Sequence, residues 1–237
     1  MMNKWTDRRN RAYINVLVNC SLGSYFIQSV EVSLDIVNGE KMLELFELFV
    51  NRVGGENVVQ IISNNASENV KAGKDLMEKY PTIYWTPCAA HCIHLMFKDI
   101  FELKHFQTTY KRAPKLSVYI HSKTKLLNLF RKFTGKRELV KFAKTRFVMA
   151  FLTFKRLKEH KNKMIKLFNC EEFLTSNYSK QESAKECGRI VQMSSFWNTL
   201  NEALKVGGPL MSTFRMVDGD VKPAMKYVYP AMELTKA

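Results

Sequence analysis

The chain has 237 residues, 46% of them hydrophobic, and a formal charge of +15. That is enough apolar material for one large domain or two smaller ones. No run approaches the ~18 uninterrupted apolar residues of a membrane helix, and the opening Met1-Met2-Asn3-Lys4-Trp5-Thr6-Asp7 lacks the apolar stretch of a secretory signal.

Cys20, Cys88, Cys92, Cys170 and Cys187 are odd in number and irregularly spread, which is no disulfide framework and fits a reducing cytosol or nucleus. A pI near 9.6 points to a polyanionic partner. The charge is unevenly placed: residues 101–150 hold 13 Lys and Arg against two acidic residues, whereas residues 1–100 hold 10 against 11. A solvated helical face and a nucleic-acid surface both produce such a pattern.

In chain order, Ala12–Cys20 is β-branched and partly alternating, as a strand should be. Ser21-Leu22-Gly23-Ser24 supplies a turn, and Tyr25–Val32 reads as its hairpin partner. Lys4-Trp5-Thr6 is the stub of a preceding strand. Leu43, Leu45, Phe46, Phe49 and Val50 recur at helical spacing until Gly54-Gly55 stops the helix. Val58–Ser63 is a short apolar run typical of a buried central strand. Asn64-Asn65-Ala66-Ser67 then turns the chain into a helix carrying Val70, Leu76 and Met77. Ile83–Thr86 is a further strand, broken by Pro87 before a helix over about Ala89–Leu103. The order β-β-β-α-β-α-β-α, antiparallel first and parallel after, predicts a mixed α/β sheet with helices on its faces.

From residue 104 strand signals largely stop. Leu116, Tyr119, Ile120, Leu127 and Phe130 follow a 3.6 period, as do Phe147, Phe151, Phe154, Met164, Ile165 and Phe168. Residues 171–191 are less regular, and Ser194–Val206 is again helical. Gly207-Gly208-Pro209 is expected to interrupt the chain before one or two last helices over Leu210–Glu233.

Several segments carry a family likeness. Lys4-Trp5-Thr6-Asp7-Arg8-Arg9-Asn10, Val58–Ser67, Tyr84-Trp85-Thr86-Pro87-Cys88-Ala89-Ala90-His91-Cys92-Ile93, Phe196-Trp197 and Val217–Met225 resemble the core of plant hAT-superfamily transposases. The resemblance implies an α/β, ribonuclease-H-like mixed sheet followed by an all-helical insertion segment. The partial core would occupy residues 1–104 and the basic helical insertion region 105–237. The chain looks like the middle of such a protein, which a BED-type zinc finger would precede and a dimerisation segment would follow.

In intact members, the resemblance implies, two aspartates and a glutamate hold two Mg²⁺ ions that drive DNA cleavage and strand transfer. The first aspartate position, two residues before Trp5, is Asn3 here. The second, ending the central strand in an Asp-Asn-Ala-Ser context, is Asn64. The glutamate lies beyond the insertion and is absent from this chain. An amide carbonyl brings no charge to offset a dication, so no catalytic residue is intact and no cofactor is expected. Asp7 could share a strand face with Asn3, but one carboxylate without partners is more often a surface residue.

Cys88, His91, Cys92 and His94 are dense enough to suggest zinc, and 88, 91 and 92 would share a helix face. Pro87 sets Cys88 at the helix start, however, and no second Cys/His pair stands at finger-like distance, so a packed helix start is expected and metal is not. Trp5, Cys88 and His91 are the family-motif residues that the resemblance implies. The candidate phosphate contacts are Lys111, Arg112, Lys115, Lys123, Lys125, Arg131, Lys132, Lys136 and Arg137, with Lys141, Lys144 and Arg146 beyond them. Interleaved Tyr110, Tyr119, Phe130, Phe133, Phe142 and Phe147 read as core rather than base-stacking platforms.

The expected function is therefore that of a catalytically inactive, transposase-derived chain with residual sequence-independent DNA affinity, in the nucleus or cytoplasm. A dimerising protein-interaction module, with itself or another chain, and a non-functional transposon relic are the alternatives. Neither a membrane nor a small-molecule substrate is expected.

Overall fold

The computed structural model of the chain describes residues 1–34, 36–140, 147–219 and 225–236, the last from the Met225 backbone onward. Two compact units divide it, Met1–Cys92 and Ile93–Ala237.

The first unit is mixed α/β. Strands β1 (Met2–Thr6), β2 (Ala12–Cys20) and β3 (Gly23–Glu31) form an antiparallel sheet in the order β1-β2-β3. The expected three-residue stub is thus a full strand, pairing Met2 with Val16 through Thr6 with Ala12. Alternation directs Ile14 and Val16 of β2 inward, where they are almost wholly buried. Helix α1 (Gly39–Val53) covers that face with Met42, Leu45, Phe46, Phe49 and Val50. Its N-terminus is capped by Asn38, whose Oδ1 accepts the Lys41 amide at 2.9 Å. Gly54, at φ 90°, ends it, a conformation costly for any residue with a Cβ.

Strand β4 (Gln60–Ser63) and strand β5 (Tyr84–Pro87) form a parallel pair, with helix α2 (Ser67–Lys79) as the crossover. β4 begins two residues later than the apolar run predicts, because the Val58 amide is taken by the Gly55 carbonyl in a short 3₁₀ turn. β1 is the strand of the antiparallel sheet that lies against β4.

The second unit is helical. Helix α3 (Ala89–Glu102) begins in the first unit and enters it. Then follow α4 (Lys104–His121), α5 (Thr124–Thr134), α6 (Phe147–Glu159), α7 (Lys161–Asn169), the single turn α8 (Glu171–Leu174), α9 (Glu182–Gln192), α10 (Ser194–Val217) and α11 (Met225–Lys236). Its core is ring-rich, with Phe97, Phe101, Phe130, Phe154 and Phe196 fully buried. Phe101 stacks on Tyr110 at 5.2 Å and meets Phe154 edge-on at 5.3 Å.

One expectation fails here. Gly207-Gly208-Pro209 does not interrupt the chain; α10 runs through all three. Gly207 is buried against ring carbons, and a Cβ there would stand 2.7 Å from Phe151 Cε2. Burial of Leu200, Ala203, Leu210 and Met211 on one stripe holds the helix together across the proline, whose intrinsic cost is about 3 kcal/mol. The irregular 171–191 stretch contains α8 and α9, separated by turns. Lys141, Phe142, Lys144, Arg146 and the Asp220–Ala224 part of the last family segment lie outside the described residues.

Candidate functional site

The site predicted from Asn64 is built at the carboxyl ends of β4 and β5, where open α/β sheets commonly place ligands. Ser63 pairs with Pro87 in the parallel register, and the Cys88 amide donates to the Ser63 carbonyl at 2.7 Å, continuing the ladder past Pro87. Ser63 is buried; its Oγ accepts Trp85 Nε1–H at 2.9 Å and donates to the Asn64 carbonyl at 3.3 Å. One step back, Gln60 Nε2 donates to Thr86 Oγ1 at 2.7 Å.

Asn64 makes the turn from β4 into α2. Its Oδ1 accepts the Ala66 amide at 3.2 Å and the side-chain amide of Asn69, an Asx turn of the kind asparagine favours. Asn69 is 4% exposed, and its own Oδ1 has no hydrogen-bond partner among the described residues. The Asn64 oxygen is therefore committed to two protein donors.

Asn3 sits in β1, exposed and in register with Asn15. Asn15 Oδ1 in turn accepts Trp5 Nε1–H at 3.0 Å and the Ser29 hydroxyl at 2.9 Å. Trp5 stacks on Tyr13 at 5.1 Å. No hydrogen bond joins Asn3 to Asn64 among the described residues. Asp7 lies past the end of β1 and closes the turn into β2. Its carboxylate accepts the Arg9 and Arg11 amides at 2.7 and 2.9 Å and pairs with the Arg11 guanidinium at 2.8 Å. The Arg11 amide first, then the guanidinium and the Arg9 amide, hold its pKa below the usual carboxylate value. Asp7 is a turn residue.

These residues do not fit a Mg²⁺ pair. The two positions that the resemblance implies, Asn3 and Asn64, offer neutral amides, the second already accepting two N–H donors. Among the described residues, no three His, Cys, Asp or Glu side chains are grouped to hold a metal. Cys88 and Cys92 occupy the start of α3, where the Cys92 amide donates to the Cys88 carbonyl at 3.0 Å. Burial, with Cys88 adding to it, pushes the Cys92 thiol above its ordinary pKa. The His94 ring meets that of Phe147 edge to face at 5.3 Å.

The basic candidates divide into two groups. Lys115 pairs with Glu186, Lys132 with Glu172 at 2.9 Å, and Arg131 with Glu138. That last pair holds the Glu138 carboxyl below its ordinary pKa, chiefly through the Arg131 hydrogen bond. Arg112 is half-buried and directs a guanidinium N–H at Met193 Sδ, 3.6 Å away. Lys111, Lys125, Lys136 and Arg137 are exposed, and Lys123 is half-buried. None of these five makes an ion pair with a described residue. Lys125 and Lys132 share one face of α5, and Lys136 follows in the turn after it. Two open cavities there have Lys132 in common; Lys125 lines one and Lys136 the other. The interleaved rings pack inward: Tyr119 and Phe130 are buried, and Tyr110, Phe133 and Phe147 lie against the same core.

Sequence reading missed Asn69, which donates to Asn64, and Gly73 of α2, whose lack of a Cβ leaves room for the Trp85 indole. The apolar-run logic that found β4 carries no signal for a polar partner one helical turn later. No described helix is long and apolar enough to cross a membrane. No curated protein matches the chain. Residues 1–116, which include the whole Asn64 site, match the model of a family described as Domain of unknown function (DUF659), a family found in hAT-type transposase-like proteins.

Proposed function

We propose that the chain is a transposase-derived domain of hAT type with a ribonuclease-H-like core, that it does not cut DNA, and that it binds nucleic acid without sequence preference, in the nucleus, through the outer face of α5. The family match over residues 1–116 supports the derivation. The mixed sheet, with β1 lying against β4, is compatible with the core.

The observation that carries the inactivity is Asn64. Two-metal cleavage needs anionic oxygens to hold the ions and offset their charge. The side chain at the end of β4 is instead a neutral carbonyl occupied by the Ala66 and Asn69 donors. Binding rests on the cations that have no carboxylate partner among the described residues, of which Lys125 and Lys136 line the two cavities that share Lys132.

The test is a purified chain offered transposon-end and unrelated DNA with Mg²⁺ or Mn²⁺. No nicking is expected, with binding to both DNAs that weakens steeply as salt rises. Lys125→Glu with Lys136→Glu should lower affinity equally for both sequences and reduce the log-log salt slope by roughly 0.9 for each phosphate no longer neutralised. Metal-dependent nicking would overturn the inactivity, and salt-insensitive or absent binding would overturn the α5 surface.

A further inference from the structure

The antiparallel sheet ends in β3, and that edge carries little protection. β3 pairs only with β2, so among the described residues its outer backbone donors and acceptors meet no strand. Natural edges of this length are usually protected by lysine, proline, an inward charge or shortness. β3 has nine residues, Gly-Ser-Tyr-Phe-Ile-Gln-Ser-Val-Glu, with Glu31 as its one charge and no lysine or proline. Tyr25 and Phe26 on it are 52% and 62% exposed. One protective device is present: the register shift opposite Val16/Leu17 makes Ile27 a bulge, which leaves a four-residue paired segment on each side.

Apolar side chains continue past both ends of the strand. Leu22 precedes it, and Leu34 and Ile36 follow it, all three more than four-fifths exposed. An antiparallel partner running along this edge would bring its own start beside the end of β3. If the partner is a second copy, each Leu22 approaches the other copy's Leu34 and Ile36, and the aromatic pair of one strand faces the middle of the other. The two Glu31 side chains fall at opposite ends of the paired edge. Charge also favours a copy over a polyanion here: residues 1–92 carry nine Lys and Arg against ten Asp and Glu, so this unit neither repels itself nor attracts nucleic acid.

We propose that β3 is a self-association edge, on which a second copy of this chain adds its own β3 antiparallel about a two-fold axis, giving a continuous six-stranded sheet. β3 belongs to the first unit and α5 to the second, and the proposal does not depend on the nucleic-acid reading. One strand edge with three flanking apolar side chains is small beside the 1,200–2,000 Å² of a typical stable interface, so the dimer is weak and concentration-dependent.

The experiment is sedimentation equilibrium of the full chain from about 1 to 200 µM, with amide hydrogen exchange at both extremes. Dimer is expected to grow with concentration, with added protection in residues 23–31. Tyr25→Lys with Phe26→Lys, two exposed positions, should leave the circular dichroism unchanged and abolish the dimer, while Lys125→Glu with Lys136→Glu should leave it intact. A chain that stays monomeric at 200 µM overturns the proposal. So does a dimer that survives the β3 substitutions, or one whose protection appears elsewhere.

Discussion

The indole of Trp85 lies so close to the backbone of Gly73 that a Cβ on Gly73 would stand 2.2 Å from its Cγ and Cδ2. Glycine inside a helix costs roughly 1 kcal/mol against alanine, and α2 carries it so that the indole can lie flush and reach Ser63. Gly73→Ala should therefore destabilise the first unit, by about 1–3 kcal/mol, although alanine is the better helix former. Adding Trp85→Leu should return part of that loss, because the ring that clashes is gone. Urea unfolding of the single and double variants, followed by far-UV circular dichroism, checks the sign of the coupling.

Asn64→Asp places an acid where the resemblance to hAT transposases implies one. The carboxylate keeps both acceptor roles, toward the Ala66 amide and Asn69 Nδ2, and places a negative charge near the N-terminus of α2, where it is favoured. Stability at neutral pH should change by less than about 1 kcal/mol. Asn64→Leu strands both donors and should cost about 1–3 kcal/mol. Neither variant should nick DNA in Mg²⁺, since Asn3 still presents an amide on β1. A cleaved product from the Asp variant alone would show that one carboxylate suffices.

How much of this was legible before folding differs from residue to residue. β2, α1, β4 and α2 follow from period, because each buries a face that the alternation or the 3.6 repeat records, whereas β3 and β5, with no fully buried residue, follow from composition and the turn residues around them. Asn64 was legible as the end of β4 for the same reason. What Asn64 does there was not, because its partner Asn69 lies in the next helix and polar pairing has no period. Charge count likewise carries no record of pairing: Lys115 and Lys132 meet Glu186 and Glu172 of later helices, and Arg131 meets Glu138 seven residues on. Gly207-Gly208-Pro209 misleads for the opposite reason. Its local propensity says break, and the packing of Phe151 against Gly207 overrides it.

His160, at the junction of α6 and α7, sets an acid limit on the helical unit. It is 3% exposed, meets the Phe130 ring edge-on at 5.6 Å, and neither ring nitrogen has a hydrogen-bond partner among the described residues. Burial first, then the nearby Lys163 and Arg156 charges, lowers its pKa below 6.5. The unfolded chain, titrating near 6.5, then binds the proton more readily than the folded one. The sign follows from linkage: stability is full above about pH 6.5, falls as pH drops below it, and levels off once the lowered folded pKa is passed. His160→Leu should remove that slope and raise stability at pH 5, by eliminating two unpaired buried nitrogens. Thermal unfolding of both proteins between pH 4.5 and 8 measures it, and parallel curves would assign the acid sensitivity to other groups.

The cysteines should react in an order set by burial. Cys187 is 2% exposed on the inner face of α9, and its thiol points toward the Lys115 carbonyl at 3.8 Å. Burial, with Glu186 adding to it, pushes its pKa up to about 12, so at pH 8 almost none of it is the reactive thiolate. Cys20, at the exposed end of β2, has no such barrier of access. Iodoacetamide at pH 8 should therefore label Cys20 first and leave Cys187 unmodified until denaturant opens the helical unit. Mass spectrometry of a labelling time course reads both rates. Because Cys187 becomes reactive only when α9 separates from α4, its rate in rising urea also reports the stability of the helical unit independently of the β-sheet unit.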